Sequence, residues 1–187
     1  MRGAMTLQSP KDPLRYEIMI HKELESALNE QINQELSASY NYLGMSTHFD
    51  SENLDGFATW MLMQHEEEKV HAMKLLQYLQ DRGGKVSLSA IPAPISDFGE
   101  PLEVFQMALE TEVRNTTSIN RLYELALKLN DHATVSHLQW FLDEQVEEEK
   151  SIEDIIALLE RVGDESAGLL YLDEKLGARQ AGSDEAG

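Results

Sequence analysis

Residues 60–78 read WMLMQHEEEKVHAMKLLQY. The stretch is rich in good helix formers and holds no Gly or Pro, so it predicts a helix. Its inward seam, taken in alternating steps of four and three, is Phe57, Met61, Gln64, Glu68, His71, Leu75 and Tyr78. These positions face a partner helix. Gln64, Glu68 and His71 occupy the middle of the row, where Leu or Ile is expected. Glu68 and His71 are three apart and leave the same face. Such groups in a helical core mean a buried ion pair, a solvated face, or a metal.

The rest of the chain supplies three more long helices. A polar arm over residues 1–13, with Pro10 and Pro13, precedes a first helix that begins between Leu14 and Ile18 and runs to Phe49. Its seam is Leu28, Ile32, Glu35, Ser39, Tyr42, Ser46 and Phe49. The turn at 50–56 is dense in Asx, Ser and Gly. The second helix spans about Asn53 to Arg82 and stops at Gly83-Gly84. Segment 83–99 carries two prolines and a brief strand-like alternation from Val86 to Ile91. Extended, it reaches roughly 50 Å, against about 42 Å for a 28-residue helix. It can therefore traverse a bundle and set the second and third helices parallel.

The third helix spans Pro101 to Leu129, with seam Phe105, Ala108, Glu112, Asn115, Ile119, Leu122, Ala126 and Leu129. The fourth spans His132 to Val162, with seam Leu138, Phe141, Gln145, Glu148, Ile152, Ile155 and Leu159. Ser166 to Leu176 forms a short fifth helix, and residues 177–187 a disordered tail. The expectation is one all-α domain over 14–176, a four-helix bundle with one long crossover.

Composition bounds the function. The 187 residues are 42% hydrophobic, lack Cys, and carry 34 acidic against 15 basic residues, a net charge of −19. Disulfides and thiolate metal ligation are excluded. The charge disfavours nucleic acid and favours cations. No apolar run spans a membrane and no apolar leader is visible at the start, so a cytoplasmic location is expected.

The polar seam residues fall in register. The midpoint of Glu35 and Glu68 lies in the 50–56 turn, and that of Glu112 and Glu148 on Asn130. The crossover brings the two pairs to one height within about a turn, so four carboxylates converge in one core layer. No Lys or Arg lies on a seam to neutralise them, and each buried carboxylate costs several kcal/mol. They are either protonated or gathered around a multivalent cation. Four carboxylates, one imidazole and the Gln145 carbonyl suit iron or manganese, and their charge suits two ions bridged by Glu68, with Glu148 as a second candidate bridge. His65, His132 and His137 lack this register and read as surface or satisfied histidines.

At this point the chain resembles the non-haem, bacterial-type ferritins. The likeness rests on LNEQINQELSASYNYL, EEEKVHAMKLLQYLQDRGG, LQWFLDEQVEEEK and the closing GLLYLDEKL. It implies a ferroxidase centre with two irons per chain. Glu35, Glu68 and His71 would hold one iron. Glu68, Glu112 and Glu148, with Gln145 alongside, would hold the second. Tyr42 and Trp140 match the family's redox-active neighbours, though both also suit core packing. Glu67, Glu144 and Glu147 match a third iron site, or form a solvated face. The resemblance further implies a homo-oligomeric shell of 24 subunits that takes up Fe(II), oxidises it with dioxygen or peroxide, and stores ferric mineral.

Departures exclude relatives. Haem-binding members carry Glu-x-x-His on the fourth helix as well, and a haem-ligating Met where this chain has Lys69. Two rival readings are a di-iron oxidase acting on an organic substrate and a non-catalytic helical cage with protonated carboxyls.

Overall fold

A computed structural model describes residues 19–163 and 165–178. Five helices follow in order: α1 Lys22–Ser51, α2 Asp55–Asp81, α3 Pro101–Lys128, α4 His132–Val162 and α5 Ser166–Gly177. The architecture is the expected four-helix bundle with a short fifth helix. The arm at 1–13, residues 14–18 and the tail from 179 lie outside the described residues.

Helix α1 begins later than the sequence suggests. His21 is extended (φ −62°, ψ 141°) and its Nδ1 accepts a hydrogen bond from the Glu23 amide, which makes it the N-cap. The pattern of apolar residues continues through Ile20, which is buried, but its amide donates to the Arg82 carbonyl instead of joining the helix. The turns use Asn where a left-handed residue is needed: Asn53 between α1 and α2 (φ 58°) and Asn130 between α3 and α4 (φ 55°). Helix α3 starts with Pro101 at N1 and a reciprocal Glu100–Glu103 capping box.

The crossover segment forms no strand from Val86 to Ile91. Its backbone is satisfied by two asparagines one turn apart on α1. Asn29 accepts from the Ser87 amide (2.6 Å) and donates to the Lys85 carbonyl (2.9 Å). Asn33 accepts from the Ser89 amide (2.7 Å) and donates to the Ser87 carbonyl (3.0 Å). Farther along, Pro94 packs against Gly44, where an added Cβ would meet the proline ring at 2.7 Å. The segment ends with the Gly99 carbonyl 2.9 Å from His48 Nε2. It therefore follows α1 from its N-terminal to its C-terminal end, and α3 must run parallel to α2.

Helix α5 closes one end. The Asp173 carboxylate accepts from the Phe57 amide at 2.9 Å, capping the start of α2. Gly56 permits that contact, since a Cβ there would overlap the Asp173 carbonyl. At the other end Arg82 grips Asp131 with two hydrogen bonds of 2.8 Å. Asp131 in turn caps α4 by accepting from the Thr134 amide.

Two apolar cores flank the middle of the bundle. One, rich in aromatics, contains Phe49, Phe57, Trp60, Phe105 and Ile152. The other contains Leu24, Leu28, Leu75, Leu122 and Leu138. Every long helix runs from one core into the other, and the segment between them is where each carries its buried Glu.

Candidate metal centre

Glu35, Glu68 and Glu112 are fully enclosed, and Glu148 is 7% exposed. Gln64, Asn115, Gln145 and His71 are buried beside them. The expected four carboxylates therefore share the layer between the two cores. Three of them are held by donors. Glu35 accepts from Gln31 Nε2 (2.8 Å) and Asn115 Nδ2 (2.7 Å). Glu112 accepts from the Tyr42 hydroxyl (2.5 Å) and Gln145 Nε2 (3.3 Å). Glu148 accepts from Gln64 Nε2 (2.7 Å).

Glu68 differs. No donor reaches either of its carboxyl oxygens, and both are buried. The Nδ1 of His71 is likewise buried and without a hydrogen bond, 3.7 Å from Glu68 Oε1. Buried polar atoms of native proteins are nearly always satisfied, so three orphans at one point call for a partner. A cation would supply it. The donor set is hard carboxylate plus one imidazole. Two triads of ligand atoms lie within 4.8 Å of one another: Glu35, Glu68 and His71, and His71, Glu144 and Glu148.

The electrostatics agree with that geometry. Burial drives the Glu68 carboxyl well above the usual range, and the charges of Glu112, Glu35 and Glu148 push it further. Burial also lifts Glu112, to about 7, against the hydrogen bonds from Tyr42 and Gln145 that favour its charged form. His71 is shifted down by burial, which keeps the imidazole neutral, the form that ligates metal. The Tyr42 phenol is raised well above its ordinary value, first by burial and then by Glu112, so it remains a donor.

Around this layer Trp140 meets His71 edge-on at 5.3 Å, and the Lys74 ammonium sits 3.1 Å above the indole. Glu144 is half-buried and joins His71 and Glu148. Glu67 is half-buried, Glu147 is exposed, and neither takes part in a triad. His65 is held by Ser39 (2.7 Å from Oγ to Nδ1). His137 departs from the expectation of a surface or satisfied side chain: it stacks on Tyr78 at 4.0 Å, and its buried Nε2 has no hydrogen bond. Burial and Lys74 lower it to about 4, so it is neutral and tolerates the enclosure.

Gln31 lies one turn before Glu35 and beside the seam, where an amide gives no sequence signal. Its partner Asn115 stood on the seam as a polar interruption and could have been flagged. Asn115 is the hub, accepting from Gln31 (2.5 Å) while donating to Glu35.

Comparison with known proteins agrees with the fold. Residues 25–162 match the family described as Ferritin-like domain. The chain is 42% identical over 161 residues to a bacterial non-heme ferritin of Staphylococcus aureus, covering 86% of this chain and 97% of the relative. A bacterial non-heme ferritin of Staphylococcus saprophyticus is 43% identical, covering 86% and 96%. Among solved structures, an open-pore ferritin from the hyperthermophilic archaeon Archaeoglobus fulgidus superposes with a TM-score of 0.85 at 43% identity. That match covers 86% of this chain and 99% of the other. With four helices, their buried carboxylates and their crossover all accounted for, the chain belongs to the ferritins, among the non-haem bacterial type.

Proposed function

We propose that this protein stores iron, oxidising Fe(II) at the carboxylate layer and holding the product as ferric mineral inside a homo-oligomeric shell. The observation that carries the reading is the trio of buried, unpartnered ligand atoms on Glu68 and His71.

Fe(II) is the substrate. Glu35, Glu68 and His71 hold one ion; Glu68, Glu112 and Glu148, with Gln145 alongside, hold a second. Glu68 is shared between them. Each Fe(II) gives up one electron, so a pair, together with two protons, reduces one dioxygen to hydrogen peroxide or one hydrogen peroxide to two waters. Carboxylate favours the harder Fe(III), which helps drive the oxidation. Binding expels the proton that Glu68 keeps when no metal is present.

Tyr42 is better suited than Trp140 to quench a strongly oxidising species. Its phenol proton has an acceptor, Glu112, at 2.5 Å. The Lys74 ammonium over Trp140 opposes positive charge on the indole. A third iron would draw on Glu144 with Glu67 and Glu147. The shell has 24 subunits and works in the cytoplasm. No helix among the described residues is long and apolar enough to cross a membrane.

The test adds Fe(II) aerobically to apo-protein and to Glu68→Ala, following ferric absorbance while sizing the particle. Fast oxidation of about two irons per chain, lost in the variant, then uptake of many more into a large particle, is the expected result. Oxidation that stops at two irons in a small oligomer would replace storage with a di-iron oxidase. No oxidation in either form would overturn both.

A further inference from the structure

A groove of about 530 Å³ lies between α1 and α3, outside the carboxylate layer. Gln34, Ser37 and Asn41 line it from α1, and Arg114, Thr117 and Arg121 from α3. Its deepest residue is Asn115, which is 1% exposed and bonds Glu35 on its inner side. Gln34 reaches the same Asn115 Oδ1 at 3.3 Å.

The lining is anomalous for this chain. Acidic residues outnumber basic ones 34 to 15, yet among the described residues no Asp or Glu lines the groove, and two arginines do. Among the described residues, the ion pairs include neither Arg114 nor Arg121. Arg114 is also held in place. Its Nε donates to the Glu110 carbonyl (3.1 Å) and its Nη2 to Thr111 Oγ1 (3.2 Å), so Nη1 is not used by either bond. Arg121 follows seven residues later, on the same face and about 10 Å along the helix. The remaining lining side chains are chiefly amides and hydroxyls, which donate hydrogen bonds to oxygen.

We propose that this groove binds a small polyvalent oxyanion, with Arg114 and Arg121 each taking one charged group and Gln34, Ser37 and Asn41 donating between them. The guanidinium fork matches phosphate and carboxylate oxygens in pairs. A net charge of −19 repels anions in general, so two unpaired arginines in a hollow of ligand size mark a place where one is accepted. Two guanidinium groups lining one groove favour an anion with two charged centres over one with a single centre. The order of preference is therefore diphosphate above orthophosphate.

Titration calorimetry on the assembled, metal-free protein tests this, with pyrophosphate, orthophosphate and citrate as separate arms. The comparison is the Arg114→Gln, Arg121→Gln double variant. Both positions are exposed, and an unchanged particle size and melting temperature confirm that the variant folds. The expected result is saturable binding of about one pyrophosphate per chain, weaker orthophosphate binding, and at least a tenfold loss of pyrophosphate affinity in the variant. Citrate binding more tightly than pyrophosphate, with the same loss in the variant, would support the site and assign it to polycarboxylates. No saturable binding of any of the three, or equal affinity in the variant, would overturn it.

Discussion

The carboxylates of one buried layer are treated in two ways. Glu35, Glu112 and Glu148 each receive hydrogen bonds from neutral side chains: Gln31 and Asn115, Tyr42 and Gln145, and Gln64. Glu68 receives none. A proton kept on Glu68 can be shared with Glu35. The three satisfied groups are fixed in position before metal arrives, whereas the central one is left at high energy until it does. Pre-positioned ligands lower the ordering cost of binding, and the unsatisfied centre gives the cation the largest share of its stabilisation. The layer thus has a rigid rim and a site-defining middle.

Removing the middle should have the largest effect. Glu68→Gln keeps size and shape but cannot bridge two cations. Fast Fe(II) oxidation should fall by about 100-fold or more, the scale of losing a central charged ligand. Stopped-flow absorbance measures it. A variant retaining more than a tenth of the rate would show that the rim alone makes the centre. The melting temperature of metal-free Glu68→Gln should not drop, since the change replaces a buried ionisable group with a neutral amide.

Next comes pH. Glu112 lies near 7 and Glu68 well above the usual carboxyl range, so both carry protons on mild acidification. Metal must displace those protons, and affinity should fall about tenfold per pH unit for each proton released. Anaerobic Zn(II) titration from pH 8 to pH 6 reads this slope. The stability of the metal-free protein shows the opposite sign. A carboxyl raised in the folded state binds more protons there than when unfolded, so it favours folding as pH falls from about 7 toward 4.5. His137, lowered to about 4, opposes this trend below 6.5. The clean reading is therefore a difference: Glu112→Gln should melt higher than the parent at pH 8, and the gap should close by pH 5. A gap independent of pH would mean Glu112 is not titrating there.

How much of this was legible beforehand follows from the physics of each part. The four Glu positions and His71 stood out because a charged group on an apolar seam breaks a strong periodic pattern. The height of each pair followed from hairpin geometry, and the crossover length fixed the parallel pair. The rim donors were less visible. Gln31 lies beside the seam, and an amide there looks the same whether it faces water or a carboxylate. The Val86–Ile91 alternation is strand-like, but a strand needs a neighbour. Asn29 and Asn33 took that neighbour's place, a tertiary substitution that no local pattern announces. The start of α1 was misplaced because His21 caps with an imidazole nitrogen, outside the usual Ser, Thr, Asp and Asn signals.

A smaller effect is expected at Tyr42. Its hydroxyl holds Glu112 at 2.5 Å and favours the charged carboxylate. Tyr42→Phe removes that donor, worth about 1–2 kcal/mol for a bond to a charged group. The pH midpoint for metal binding should therefore rise by about one unit. The first oxidation should slow only a few-fold at pH 8, while protein damage under repeated iron loading rises. An unchanged midpoint would confine Tyr42 to packing.

The smallest change should come from Gln31, and it tests the rim directly. Gln31 Nε2 donates to both Glu35 and Asn115, while its own Oε1 is buried without a partner. Gln31→Leu takes a donor from the buried Glu35 and Asn115 oxygens, a cost partly offset because the unsatisfied Gln31 acceptor goes with it. Stability should stay within about 1 kcal/mol of the parent, because Glu35 keeps Asn115 on its other oxygen. Zn(II) affinity should fall by no more than about threefold, the cost of a slightly looser Glu35. Asn115→Leu should cost more on both counts, since it strips donors from Glu35 and an acceptor from Gln31 together. If Gln31→Leu instead weakened metal binding as much as Glu68→Gln, rim and middle would be one unit, and the division between them would fail.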